Sequence, residues 1–361
     1  MSNSRTSTIA KGVTTANASV VTTADTTGFA AGDTVATSNM NAAIGAIKTK
    51  GLHVAVLLPC YNEAQTIAQT IAAYRDALEG VPQVTIYVYD NNSSDDTAAI
   101  AESAGAIVRK EYRQGKGFVI RSMFRDVEAD VYLMADGDNT YEARDVIALA
   151  GDIAAGKADM AIGDRLSGTY FEENKRPLHG FGNRLVRWLI NRIFQSDIVD
   201  VMTGARAFSR KFVKTYPSLV GGFEIETEMT IHALDKNFLV AHHPVHYRDR
   251  PQGSHSKLST IPDGLRVLKT IFALFKDFRP LLFFGSISLF MLLVGAILFI
   301  RPLAEYFATG FVTYIPTLLV SVTFIIVALL SGVCGVIVDS IRKQTRTFYE
   351  LELYRINNKV Q

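Results

Sequence analysis

Asp136 and Asp138, one residue apart, follow directly on the apolar run Val131-Tyr132-Leu133-Met134-Ala135. Such a run reads as a buried strand, and open α/β sheets bind their ligands in the crevice beyond the carboxyl ends of their strands. Two carboxylates held there suit a hard divalent cation clamped against a diphosphate. Asp-x-Asp is also ordinary turn chemistry in solvated loops, so the neighbouring motifs decide between the two.

Three other turns carry matching chemistry. In Pro59-Cys60-Tyr61-Asn62-Glu63, Tyr61 can stack on a base and Glu63 suits the first turn of a helix. Read plainly, Asn62 caps that helix and Tyr61 is a surface aromatic. In Asp90-Asn91-Asn92-Ser93-Ser94-Asp95, Ser94 or Asp95 serves as an N-cap, and Asp90 is better placed to meet a ligand. Arg113-Gln114-Gly115-Lys116-Gly117 precedes a helix whose first N–H groups, with the lysine, suit a diphosphate, although its spacing is not that of a P-loop.

The elements that position these turns alternate. Strands are expected over 54–58, 84–89, 131–135 and 160–163, and Ile67, Ile71, Tyr74 and Leu78 share one helical face. Further helices are expected near 96–104, 118–125, 183–194 and 226–236, which extends the domain to about residue 250. This βαβα order argues for a mostly parallel sheet covered on both faces.

Composition divides the chain. Hydrophobic residues make up 48% of 361, yet they concentrate in the last quarter, so a soluble part and a membrane part are averaged together. The net charge of +2, with no long basic run, argues against nucleic acid as a partner. Cys60 and Cys334 are the only cysteines, too few for a disulfide framework, and a reducing compartment fits. Residues 1–50 are rich in Ser, Thr and Ala, and the expectation is a largely disordered segment rather than a signal or transit peptide.

Residues 281–300 and 311–338 contain no charge, and each is long enough to cross about 30 Å of hydrocarbon. Arg266, Lys269, Lys276 and Arg279 precede the first span, Arg342, Lys343 and Arg346 follow the second, and Arg301 is the only basic residue between them. By the positive-inside tendency the domain and both termini are cytoplasmic. Leu265, Leu268, Ile271, Phe272, Phe275 and Phe278 recur at helical spacing beside basic residues, the pattern of an interfacial amphipathic helix.

With P-C-Y-N-E, D-N-N-S-S-D, R-Q-G-K-G, D-G-D and the later Y-R-D-R-P-Q-G-S-H-S-K-L in this order, the chain resembles family 2 glycosyltransferases of the GT-A fold. Its interfacial helix and two spans resemble those of the polyprenyl-phosphate glycosyltransferases, including dolichyl-phosphate mannose synthases and bacterial polyprenyl-phosphate glucosyltransferases. The resemblance covers roughly residues 54–341 and is specific as a set. After the segment over 1–50 that composition reads as disordered, the expected organisation is a Rossmann-like GT-A domain over 51–258, the interfacial helix over 259–279, two transmembrane helices within 280–339 and a cytoplasmic tail over 340–361.

By position, the resemblance assigns Pro59, Tyr61, Glu63 and Asp90 to the nucleotide and Asp136 and Asp138 to Mg2+ or Mn2+. It places Lys116 and Arg165 beside the diphosphate, Asp200 beside the sugar with Arg206 nearby, and Arg206, Arg250, Ser256 and Lys257 toward the lipid phosphate. Relatives often continue the metal motif as D-A-D-L-Q, whereas Asn139 and Thr140 stand here. The implied reaction is inverting transfer of a hexose from a nucleotide diphosphate sugar to polyprenyl phosphate. UDP is favoured, with UDP-glucose, UDP-N-acetylglucosamine and GDP-mannose all open, and a separate flippase and self-association through the spans are further implied partners.

Competing readings attach to particular residues. Glu224, Glu226 and Glu228 offer a base for a hydroxyl acceptor on a lipid or protein, although placement at a helix N-terminus explains acidic residues as well. A third alternative is a non-catalytic membrane-anchored scaffold. His242, His243 and His246 have the residue type of metal ligands but lie in a strand-like stretch interrupted by Pro244. Arg187-Trp188 matches part of the Q-x-x-R-W motif of processive polysaccharide synthases, but Arg184 stands where the Gln belongs and two spans are too few.

Overall fold

A computed structural model describes residues 21–22, 29–167, 177–218, 220–222, 224–248, 272–273 and 275–358. The first part alternates strands and helices in the order β1 (Val21–Thr22), α1 (Phe29–Lys50), β2 (Val54–Cys60), α2 (Ile67–Ala77), β3 (Val84–Asp90), α3 (Thr97–Ser103), β4 (Ile107–Lys110), α4 (Lys116–Asp126), β5 (Val131–Met134), α5 (Ala143–Ala155) and β6 (Met160–Asp164). It continues through α6 (Pro177–Phe194), β7 (Arg206–Ser209), α7 (Arg210–Thr215), α8 (Ile225–Asp235) and β8 (Val240–Pro244). Two long helices close the chain, α9 (Pro280–Thr309) and α10 (Ile315–Asn358).

The strands form one sheet in the order β1-β8-β6-β7-β5-β2-β3-β4. All pairings are parallel except those of β7, which runs antiparallel to both β5 and β6. Central strands bury both faces, so β2 and β5 read as unbroken apolar runs rather than alternating ones. Val56, Leu58 and Leu133 pack on one face with α2 and α5; Leu57, Met134 and Phe208 pack on the other with α4 and α8. This layering brings the carboxyl ends of β2, β3 and β5 to one edge, with Cys60 opposite Asp90 and Leu57 opposite Met134.

The expected disorder over 1–50 does not hold for its second half. Residues 29–50 form α1, in which Ala43 and Ile47, four apart on one face, are fully buried, with Ala43 against Gly151 of α5. The small residues that read as unable to make a core instead allow two helices to approach closely, and alanine is the best helix former. Lys50 adds a bond from its ammonium to the Ala154 carbonyl at 2.5 Å.

The two C-terminal helices are apolar on the outside. Phe290, Ile297, Leu319 and Leu329 are exposed, while Gly295 lies close against Ser321 and Ile325, and Gly335 against Phe284. Helix α10 has 44 residues and therefore runs roughly 66 Å, about twice the thickness of a hydrocarbon core. Its last turns return to the catalytic domain: Arg342 pairs with Asp235 at 2.6 Å, and Leu353 is buried in the core face that holds Phe212 and Phe238. The tail expected over 340–361 is thus helical through residue 358. Most of the expected interfacial helix lies outside the described residues, but at its end Phe278 meets Phe194 edge to face at 5.3 Å and Arg279 donates to the Ile193 carbonyl.

Candidate active site

The turns after β2 and β3 are one stapled unit. Asn91 N–H donates to the Cys60 carbonyl at 2.9 Å, Asn62 N–H to Ser93 Oγ at 2.9 Å, and Ser94 N–H to Asn62 Oδ1 at 2.7 Å. Asn62 therefore ties turn to turn at φ +54° rather than capping α2, which begins only at Ile67. The N-cap of α3 is Asp96, which makes no side-chain cap bond; Asp95, one residue earlier, makes an Asx-turn instead, accepting from Thr97 N–H at 3.1 Å. Pro59, Tyr61 and Glu63 are half-buried, and Asp90 is buried with Oδ1 accepting from Ser93 N–H at 3.2 Å. Burial, and then Glu63, Asp90, Asp136 and Asp138 in turn, push the Cys60 thiol well above its ordinary pKa. One neutral thiol thus sits among all four carboxylates expected to meet nucleotide and metal.

The loop before α4 is held from both sides. Asn91 donates to the carbonyls of Glu111 at 3.0 Å and Arg113 at 2.8 Å and accepts from Gly115 N–H at 2.7 Å, a role the sequence motif did not announce. Gly115, at φ +138°, leaves 2.1 Å between the place of a Cβ and the Gly221 carbonyl, and Gly117 leaves 2.3 Å to the Val220 carbonyl. Gly117 N–H bonds the Gly221 carbonyl at 3.1 Å. These glycines permit the 220–221 backbone to dock, instead of both cradling phosphate. Lys116, between them, reaches Asp136 Oδ1 at 2.5 Å and Glu226 Oε1 at 2.6 Å. Burial alone would lower its pKa, but Asp136 and Glu226 outweigh that and hold the ammonium charged.

Asp136 and Asp138 stand where the sequence placed them. Gly137 packs on Cys60 Sγ, and its carbonyl accepts from Thr66 Oγ1 at 2.9 Å. Asp138 is buried, with Oδ1 accepting from Thr140 Oγ1 at 2.6 Å and Thr140 N–H at 3.2 Å. The departure at Thr140 is thereby explained: it orients Asp138. Asp136 lies against Gly204, where a Cβ would come within 2.5 Å of Oδ2 and displace the carboxylate. Tyr141 braces the same loop, its hydroxyl accepting from Gly204 N–H at 3.1 Å, and its backbone bridges Tyr247.

Arg165 and Asp200 form a bidentate pair, Nε to Oδ2 at 2.8 Å and Nη2 to Oδ1 at 3.2 Å. Asp200 has no exposed surface, and both of its carboxylate oxygens are engaged by Arg165. Arg206, expected toward the lipid phosphate, is a correction. Its guanidinium is fully buried and spent on the Val201 carbonyl at 2.7 Å, the Thr203 carbonyl at 3.1 Å and Thr230 Oγ1 at 3.0 Å. Desolvation lowers its pKa to about 10, and its place opposite Met134 and Ile162 in the sheet keeps it under the 200–204 loop. Arg250, Ser256 and Lys257 lie outside the described residues.

The histidines do not gather. His243 pairs with Asp152 at 2.6 Å, His246 with Asp145 at 2.9 Å, and His242 is buried with neither ring nitrogen bonded. Glu142, Asp145 and His246 bring ligand atoms within 4.8 Å of one another, but Arg144 at 2.5 Å and Arg248 at 2.6 Å already compensate Glu142. Around Lys116 the arrangement is different: Asp136 and Glu226 share its one ammonium, and Asp138 follows Asp136 in the same loop after β5. Carboxylate oxygens at the end of a strand are the donor type that fits a hard dication.

Residues 55–216 match the family described as Glycosyl transferase family 2. Glycosyltransferase AglJ of Haloferax volcanii is 36% identical over 241 residues, which cover 65% of this chain and 76% of that protein. Protein RfbJ of Shigella flexneri is 46% identical over 113 residues, 31% of this chain and 85% of that protein. The chain belongs to glycosyl transferase family 2. A crystal structure of glucosyl-3-phosphoglycerate synthase from Mycobacterium tuberculosis with uridine diphosphate superimposes with TM-score 0.54 at 20% identity, covering 72% of this chain and 87% of that one. Another, with Mn2+, UDP-glucose and phosphoglyceric acid, gives TM-score 0.52 at 21% identity over 71% and 86%. The domain is accordingly GT-A-like, as expected, the protein is a nucleotide-sugar glycosyltransferase, and its two apolar helices are candidate membrane spans.

Proposed function

We propose that the protein transfers one hexose from a nucleotide diphosphate sugar to polyprenyl phosphate at the cytoplasmic face of a membrane, inverting the anomeric centre. The observation that carries the reading is the attachment of a site rich in carboxylates to two helices with apolar outer surfaces, the second of which returns to grip the catalytic domain. An acceptor with a charged head and a membrane-embedded tail suits that arrangement. UDP-glucose is the favoured donor, with UDP-N-acetylglucosamine and GDP-mannose as competitors. The Mycobacterium tuberculosis enzyme's complex with Mn2+ and UDP-glucose supports a UDP-sugar and a divalent cation.

In this mechanism Pro59, Tyr61, Glu63 and Asp90 bind the nucleoside, and Asp136 and Asp138 hold Mg2+ or Mn2+. The bound cation supplies charge neutralisation at the departing diphosphate. Lys116 and Arg165 add fixed positive charge on the same side, Arg165 aimed by Asp200. A lipid phosphomonoester has a second pKa of about 6, so its oxygen attacks at neutral pH without a strong general base. Arg250, Ser256 and Lys257 receive that phosphate.

The test uses the full chain in bilayers with Mn2+ or Mg2+, a short polyprenyl phosphate and a panel of UDP- and GDP-sugars. The expected result is nucleoside diphosphate release matched by one hexose added to the lipid mass, with one donor and only with metal. Release without lipid glycosylation would favour the second reading, a hydroxyl acceptor, for which the position of Glu226 beside Lys116 is the supporting observation. Silence from a stable preparation would favour the scaffold.

A further inference from the structure

Lys116 stands between carboxylates from two different elements, Asp136 after β5 and Glu226 in the first turn of α8. The Glu226 side chain is only 6% exposed. Its placement is not left to a flexible side chain, because the segment leading into α8 is docked on the glycines flanking Lys116, with Gly221 bonded to Gly117 at 3.1 Å. The three donors of one ammonium are therefore shared across a fixed gap.

We infer that Glu226 is a positioning residue: it holds Lys116 beside the metal carboxylates so that a divalent cation can take Asp136 without expelling the lysine. This rests on the metal-and-donor half of the proposed function and not on the acceptor. A dication bound at Asp136 and Asp138 repels a nearby ammonium and draws on the same carboxylate. Glu226, on the other side of that ammonium, supplies the attraction that keeps Lys116 in place. Without Glu226, Lys116 has its full charge directed at Asp136 and competes with the cation. Without Lys116 the competition ends.

Opposite effects of two substitutions follow. In the full chain in lipid nanodiscs with UDP, Mn2+ binding is read from the electron paramagnetic resonance of the free ion. Glu226→Gln should weaken binding about tenfold, the scale found when a group supporting a metal ligand is removed. Glu226→Asp should restore part of it, and Lys116→Met should bind Mn2+ at least as tightly as wild type. In the Lys116→Met background the Glu226→Gln effect should shrink to about twofold, because Glu226 acts through the lysine. Melting temperatures of all four variants verify folding.

Glu226→Gln binding Mn2+ like the wild type would overturn the inference alone. Turnover lost in Glu226→Gln at unchanged Mn2+ binding would overturn it in favour of a catalytic base for a hydroxyl acceptor. A wild-type chain that binds no Mn2+ with UDP would overturn it together with the donor reading.

Discussion

In the catalytic domain Asp138, Asp200, Arg206 and Glu226 lie inside, each met by a hydrogen bond or an opposite charge. In α9 and α10 the arrangement is reversed: Leu289, Phe290, Leu319 and Leu329 face outward, and Ser288 and Ser331 turn inward to bond the carbonyls of Ala328 and Phe284 at 2.7 and 3.1 Å. The contrast is the one expected between a domain in water and a pair of candidate membrane spans. Water lets a domain bring charges to an interior edge if each is compensated, whereas hydrocarbon demands that polar groups be satisfied within the helix pair. The two rules meet at residues 339–358, where one continuous helix leaves the apolar region and docks by ordinary aqueous contacts.

The largest effect that would test the domain's half of this contrast is at Asp138. Asp138→Ala should lower turnover by at least about 100-fold with the melting temperature nearly kept, because a metal carboxylate is lost from a site whose loop retains Thr66 and Tyr141 as braces. Near-normal turnover that still requires metal would remove Asp138 from its role. Arg206→Met comes next, and it separates a buried scaffold charge from a binding one. It strands two carbonyls and the Thr230 hydroxyl, so stability should fall by about 3 kcal/mol, read from chemical denaturation. A variant that keeps its stability and instead loses affinity for polyprenyl phosphate would restore the lipid-binding reading.

These two residues also mark how far the sequence could be read. Strands β2, β3, β5 and β6 were legible as short apolar runs, and the motifs at their ends lie together at one sheet edge, since a strand's direction fixes where its last residues emerge. Arg206 was not legible. It sits in β7, a four-residue strand whose antiparallel insertion between β5 and β6 depends on pairings far along the chain. Gly204, Asn91 and Tyr141 escaped for the same reason: each matters through a partner loop distant in sequence. Glu226 was visible as a residue type, but its pairing with Lys116 required knowing that 220–222 docks on two glycines. Helix α1 hid behind a composition that disorder and close helix packing share.

At the meeting of the two regions, pH provides a smaller effect. Burial, and then the Lys236 cation, lower the pKa of His232 to about 4, so the folded protein holds it neutral while the unfolded chain titrates at its ordinary value. The unfolded state therefore binds the extra proton, and stability is full above about pH 6.5 and is lost as pH falls toward about 4, by roughly 3 kcal/mol. Arg342 and Lys236, against the opposing effect of burial, hold Asp235 below the usual carboxylate range, so its contribution fails only at lower pH. Denaturation of wild type and His232→Gln at pH 7 and 4.5 separates them: the substitution should flatten the slope, and an unchanged slope would assign it to other groups.

The smallest effect tests the docking itself. The Tyr349 hydroxyl accepts from His232 Nε2 at 3.0 Å and donates to Thr215 Oγ1 at 2.9 Å, while its ring lies 4.9 Å from the Lys236 ammonium. Tyr349→Phe removes the hydroxyl and keeps the ring, so the catalytic domain should lose about 1 kcal/mol, the net worth of a hydrogen bond between neutral groups. The apolar stretches of α9 and α10 should be unaffected, because their packing through Gly295 and Gly335 does not involve the tail. Protease cleavage within 343–358 should accelerate in step with the lost stability, since local opening exposes the backbone that docking protects. If Tyr349→Phe changes neither stability nor cleavage, and a chain ending at residue 342 melts like the whole, then α10 does not grip the domain.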